Sequence, residues 1–171
     1  MDVHSDVRES SVNTAGEGNG AARSLVVFMI EGHRYALPIS LVERVLPAVE
    51  VSPLPDAPAV TLGVINVHGA LIPVFDLRPR LNYPSREYGM NSLLLVASTT
   101  KRRLAVPVDE VVGICDVSAA AITAPSTILP GVDQVAGLVT LPDGLLLIYD
   151  VEALLSLDEE RQLTEALTRR E

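Results

Sequence analysis

Side chains able to do chemistry are few in this 171-residue chain, and their spacing does not favour a reaction. Asp76, Asp109 and Asp150 stand at the ends of apolar runs. A general acid–base pair would need two such carboxylates within reach of one substrate. Phe75-Asp76-Leu77-Arg78 lacks the glycine-rich turn of an aspartic protease, and Arg78 offers Asp76 a local ion pair. His4, His33 and His68 show no metal-ligand spacing. Cys115 sits in an apolar run and reads as an inert, buried thiol. No Gly-x-Ser-x-Gly elbow occurs, and the glycines of Gly16-Glu17-Gly18-Asn19-Gly20 belong to a polar tail rather than a phosphate loop. Lys101-Arg102-Arg103 falls at a hairpin tip, where charges are ordinarily solvated. The expectation is a chain with no catalytic residue, metal or cofactor.

Composition narrows the remaining classes. Apolar residues make up 48% and charged residues 20%, a globular balance. A net charge of −9 opposes phosphate backbones, and 4% aromatics with no Trp leaves little for base stacking, so nucleic acid is not an expected partner. No apolar run approaches the ~20 residues of a membrane span, so no membrane insertion is expected. The N-terminus, MDVHSDVRES, is acidic and polar, unlike a signal peptide. One cysteine fits a reducing, cytoplasmic setting.

The elements that would position any site are short strands. Residues 1–24 are polar, without apolar period, and read as a disordered tail. From Leu25, nine strand-length runs follow, parted by turns such as Glu31-Gly32-His33, His68-Gly69 and Pro142-Asp143-Gly144. This spacing predicts an all-β sandwich or barrel. Helix signals are confined to the end: Asp150 as a cap, then a helix over 158–171 with Asp158 as N-cap and Arg169 and Arg170 at its C-terminus. An internal repeat organises the strands. Leu25–Val45 lies over Leu94–Ile114, matching Ala36-Leu37-Pro38-Ile39 to Ala105-Val106-Pro107-Val108. Gly63–Leu81 lies over Gly137–Leu155, matching Phe75-Asp76-Leu77 to Tyr149-Asp150-Val151. Two nearly equal offsets in chain order indicate a duplication. The expected arrangement is two small barrels, roughly 25–90 and 91–157, with a groove at their junction and a binding role.

Several stretches resemble the CheW family of bacterial chemosensory adaptors: Phe28–Ile39, Val42-Glu43-Arg44-Val45, Leu54-Pro55-Asp56-Ala57-Pro58, Val106–Val111 and Ile148–Leu155. The most specific is Gly63-Val64-Ile65-Asn66-Val67-His68-Gly69-Ala70-Leu71-Ile72-Pro73-Val74-Phe75-Asp76-Leu77-Arg78, similar to G-V-x-N-[LM]-R-G-x-[IV]-x-P-V-x-D-L-R. The resemblance covers 25–157. It implies an all-β fold of two SH3-like five-stranded β-barrels packed side by side, with a short C-terminal helix. It also implies a non-catalytic, cofactor-free adaptor between the cytoplasmic tip of chemoreceptors and a CheA-type histidine kinase. Carried over by motif, Val42, Arg44, Gly63, His68 and Leu93 are the expected receptor-groove residues: Val42 and Leu93 as apolar anchors, Gly63 where a helix backbone approaches.

Two positions depart from the family pattern: Arg44 replaces the usual Glu, and His68 the usual Arg. Their joint change points to a re-specified groove, with Arg44 seeking an acid from the partner or from Glu43. An imidazole at 68 would make the contact pH-sensitive, since a free histidine titrates near ~6.5. The alternatives are a scaffold in a parallel pathway (pili, attachment or a second messenger), a small-ligand sensor, and a hydrolase using Asp76 or Asp109.

Overall fold

The computed structural model describes residues 22–47, 49–84, 89, 91–124 and 135–170. Ten strands are formed: β1 (Ala22–Ile30), β2 (His33–Pro38), β3 (Val42–Pro47), β4 (Thr61–Val67), β5 (Ala70–Phe75), β6 (Leu93–Ser98), β7 (Arg103–Val108), β8 (Glu110–Ser118), β9 (Val135–Leu141) and β10 (Gly144–Tyr149). Among the described residues one α-helix, α1, spans Leu157–Arg170. The all-β architecture is as expected. β1 begins at Ala22, inside the stretch read as tail; residues 1–21 lie outside the described residues. The sequence reading lacks β3, whose two central charges break the alternation of a strand. The break is a bulge: Val42 opposes Ala97 and Arg44 opposes Val96, which leaves Glu43 as the extra residue.

The strands form two five-stranded sheets, β8-β1-β2-β10-β9 and β3-β6-β7-β5-β4. Laying β1–β5 over β6–β10 turns one order into the other, and the registers agree. Ala36 opposite Ile148 answers Ala105 opposite Val74. Gly63 opposite Val74 answers Gly137 opposite Ile148. The barrels, however, are not residues 25–90 and 91–157. Each sheet takes the first hairpin of one half and the last three strands of the other. The physical cause is local: Pro38 ends β2, and a 3-10 turn over Ile39–Leu41 redirects the chain into the other sheet. Neither ladder closes into a ring. A single two-bond bridge spans each gap, Ser52 with Val64 in one sheet and Thr123 with Leu138 in the other.

Each sheet curls around a small apolar interior. One holds Leu25, Val27, Ala36, Val139, Leu146 and Ile148; the other holds their repeat equivalents Leu94, Val96, Ala105, Ile65, Ile72 and Val74. The largest cluster lies between the sheets and includes Phe28, Tyr35, Phe75, Leu95, Val106 and Tyr149. The junction is therefore packed core rather than an empty trough. Helix α1 joins it through Leu163 and Ala166, both buried.

The N-cap of α1 is Ser156, two residues earlier than the expected Asp158. The Glu159 N–H donates to the Ser156 hydroxyl (3.1 Å), and the Ser156 N–H donates to the Glu159 carboxylate (2.9 Å), a reciprocal capping box. Both Glu159 carboxylate oxygens also accept from the one Arg80 NH2 nitrogen, at 2.8 and 2.9 Å. Asp150 caps its turn as expected, accepting from the Glu152 N–H at 3.2 Å. The basic tip is not a free solvated turn: Arg102 and Lys101 reach Glu160 on α1, and Arg103 pairs with Glu43.

Two stability predictions follow from this packing. A Cβ at Gly63 would stand 2.2 Å from the Ser52 carbonyl oxygen at φ +151°, where neither backbone can give way. Gly63→Ala should cost upwards of ~2 kcal/mol in urea denaturation. Gly137→Ala, which would press only on the Ile122 side chain at 2.6 Å, should cost clearly less. Burial pushes the Glu159 carboxyl up, but the Ser156 N–H and the Arg80 guanidinium more than offset this and hold it below its ordinary 4.5. Its contribution is complete above that value and lost as pH falls through the lower folded one. Denaturation midpoints measured between pH 6 and 3 should fall less steeply in Glu159→Gln than in the parent.

Candidate functional site

Arg78, 5% exposed, ties the two sheets together by charge. Its Nε donates to Glu31 Oε2 at 2.9 Å and its NH2 to Asp109 Oδ1 at 2.6 Å. Asp76, the expected local partner, stands farther off at 4.0 Å and accepts the Arg78 backbone N–H at 3.1 Å. Glu31 occupies the β1–β2 turn with φ 53°, and its N–H donates to the second Asp109 oxygen at 2.8 Å. Desolvation works against the guanidinium charge, and Glu31, Asp109 and Asp76 more than restore it. Asp76 and Asp109 are thus committed to holding the fold. Asp150 is committed to its cap in the opposite sheet. Among the described residues no His, Cys, Asp and Glu cluster could hold a metal ion. Burial and Asp116 push the half-buried Cys115 thiol up, which makes it a poor nucleophile.

The five expected groove residues separate into two groups. Val42 is buried in the core between the sheets, 2% exposed. Gly63 is buried as well, and the backbone that approaches it is the chain's own Ser52. Neither offers a surface. Arg44, Leu93 and His68 do reach the surface. Arg44 lies on edge strand β3, and Leu93 opens the neighbouring β6 opposite Pro47, packing partly on the core between the sheets. His68 is exposed at the β4–β5 tip with φ 52°, followed by Gly69 at φ 89°. Two consecutive left-handed residues make a type I′ hairpin turn between Val67 and Ala70, and the Asn66 side-chain oxygen accepts the Gly69 N–H at 2.8 Å.

A feature absent from the sequence reading is a cleft of ≈ 430 Å³ where the core between the sheets comes to the surface. Tyr35, Tyr83, His33, Leu145 and Leu147 line it. The Tyr83 hydroxyl bonds the Tyr35 hydroxyl at 2.6 Å and His33 Nδ1 at 2.9 Å, and its ring stacks on the imidazole. This is an open, mixed-polarity hollow, unlike the closed apolar chamber of a small-ligand sensor.

If Arg78 holds the sheets in register, removing its charge should unfold more than a local turn. Arg78→Ala leaves two carboxylates facing each other and should cost about 3 kcal/mol. Arg78→Met, which keeps the buried stem, should recover part of it in the same urea titration.

The profile of the CheW-like domain family matches residues 24–159. The chain is 31% identical over 106 residues to the chemotaxis protein CheW of Rhizobium meliloti (strain 1021), covering 62% of this chain and 68% of that protein. It is 29% identical over 133 residues to chemotaxis protein CheW of Bacillus subtilis (strain 168), covering 77% and 85%. Among solved structures, scaffolding protein TtCheW from Thermoanaerobacter tengcongensis superposes with a TM-score of 0.69 at 25% identity, covering 75% of this chain and 89% of that one. Doubled sheets, carboxylates spent on structure and a family match along the described strands agree: the chain belongs to the CheW-like domain family of non-catalytic chemotaxis adaptors.

Proposed function

We propose that the protein couples chemoreceptors to a CheA-type histidine kinase in the cytoplasm, as a scaffold without chemistry of its own. The observation that carries this reading is the family match over residues 24–159, which takes in every described strand from β2 to β10. The surface assigned to the receptor is the β3–β6 edge, where Arg44 and Leu93 are accessible, with His68 at the β4–β5 tip. The kinase takes a separate face. Among the described residues no helix is long and apolar enough to cross a membrane, which fits a partner recruited by receptors. Individual contacts in such an assembly are modest, and linked sites raise the overall affinity.

The test is co-sedimentation of a CheA-type kinase with receptor signalling fragments from the same organism, with and without this protein. Adding the protein should raise the pelleted kinase at least tenfold. Kinase pelleting to the same extent without it would defeat the reading.

A further inference from the structure

We infer that Arg44 is the specificity-determining residue of the β3–β6 edge, and that it receives a carboxylate carried on the receptor helix that docks there. The inference rests on the coupling reading above and names what that surface selects.

Four observations converge on it. First, the Arg44 guanidinium makes no ion pair or hydrogen bond among the described residues, although the chain carries a net charge of −9. The Arg34, Arg78, Arg80 and Arg103 guanidiniums each hold a carboxylate. Second, the acid beside it is spent. Glu43 is gripped by Arg103 through Nε at 3.1 Å and NH2 at 2.9 Å, and it also accepts the Ser98 hydroxyl. Burial pushes that carboxyl up, and the Ser98 and Arg103 hydrogen bonds more than offset it, with the charge of nearby Arg44 adding least, so Glu43 is held as an anion chiefly by Ser98 and Arg103. Third, the fold does not require a cation here. The repeat equivalent of the Glu43-Arg44 bulge is Val112-Gly113, which makes the same bulge in β8 against β1 with no charge. Fourth, the setting is apolar and half-shielded. Arg44 opposes buried Val96 and Leu46 opposes buried Leu94, with Leu46 partly buried on the same face as Arg44.

A half-buried cation without a partner is held at a cost, and a carboxylate arriving with an apolar face would remove it. The same geometry rejects a basic segment, because the Arg44 guanidinium would oppose it. Glu43 cannot compensate while Arg103 holds it.

The experiment measures binding of a soluble receptor signalling-tip fragment to the full chain and to Arg44→Gln and Arg44→Glu. Binding of the CheA-type kinase serves as the fold and specificity control. Arg44→Gln should weaken receptor binding about tenfold, and Arg44→Glu should weaken it further. Kinase binding should stay within twofold of the parent in both. The salt dependence of receptor binding should flatten in Arg44→Gln. Changing receptor-tip acids to Lys one at a time should identify one that restores binding to Arg44→Glu. Parent-level receptor binding by both variants, or no restoring acid, would overturn the assignment while leaving the coupling role in place. Failure of the unaltered protein to bind the receptor fragment would overturn both.

Discussion

Ten short strands cannot each find a deep interior, and in this molecule the apolar faces that the two sheets turn toward each other supply most of what is missing. Each barrel interior is a modest cluster of mainly Val, Leu and Ile, whereas the shared cluster gathers Phe28, Phe75, Tyr35 and Tyr149 together with the inner face of α1. Small domains bury too little surface to stand alone, so the pairing is what makes either sheet viable. The exchange of hairpins links them covalently: one sheet is the continuous run β3 to β7, and the other is assembled from β1, β2 and β8 to β10 on either side of it. Everything that faces a partner is carried on this one doubly wound core.

Charge completes what apolar burial begins. Arg78 leaves β5 and meets carboxylates from the β1–β2 turn and from the start of β8, fixing three chain segments at one point between the sheets. Arg80, Arg102 and Lys101 repeat the device for α1, spending Glu159 and Glu160 on holding the helix against the sheets. A chain with so many internal pairings leaves little charge to spare. That economy is what makes an unpaired Arg44 informative.

Much of this was legible in the residues, and the misses have physical reasons. Turn chemistry located the hairpins, because Gly32, Gly69 and Gly144 stand where the backbone is left-handed or otherwise closed to most side chains. The duplication was legible because the Pro and Asp positions recur in order. Strand partners were not, since alternation reports which residues are buried and not which neighbour lies alongside. The β3 bulge hid a strand by inserting a charge out of phase. Ser156-x-x-Glu159 was a readable capping signal, overshadowed by the acidic run that follows. Gly63 was singled out for the approach of a partner's backbone, whereas the backbone beside it is that of Ser52. Arg78 could not be assigned to Glu31 or Asp109 from spacing, because those partners lie 47 and 31 residues away and meet it only through the exchange.

The hairpin exchange also says something about origins. A lone ancestor of one half would possess β1 and β2 with no sheet to enter and three further strands with two places vacant. A second identical chain, related by a twofold axis, supplies what each lacks. The present molecule has the form of such a pair joined end to end, and the joining released its two faces to diverge: one bulge became Val112-Gly113 and the other Glu43-Arg44. Asymmetry of that kind gives two halves of one duplicated pattern two different surfaces.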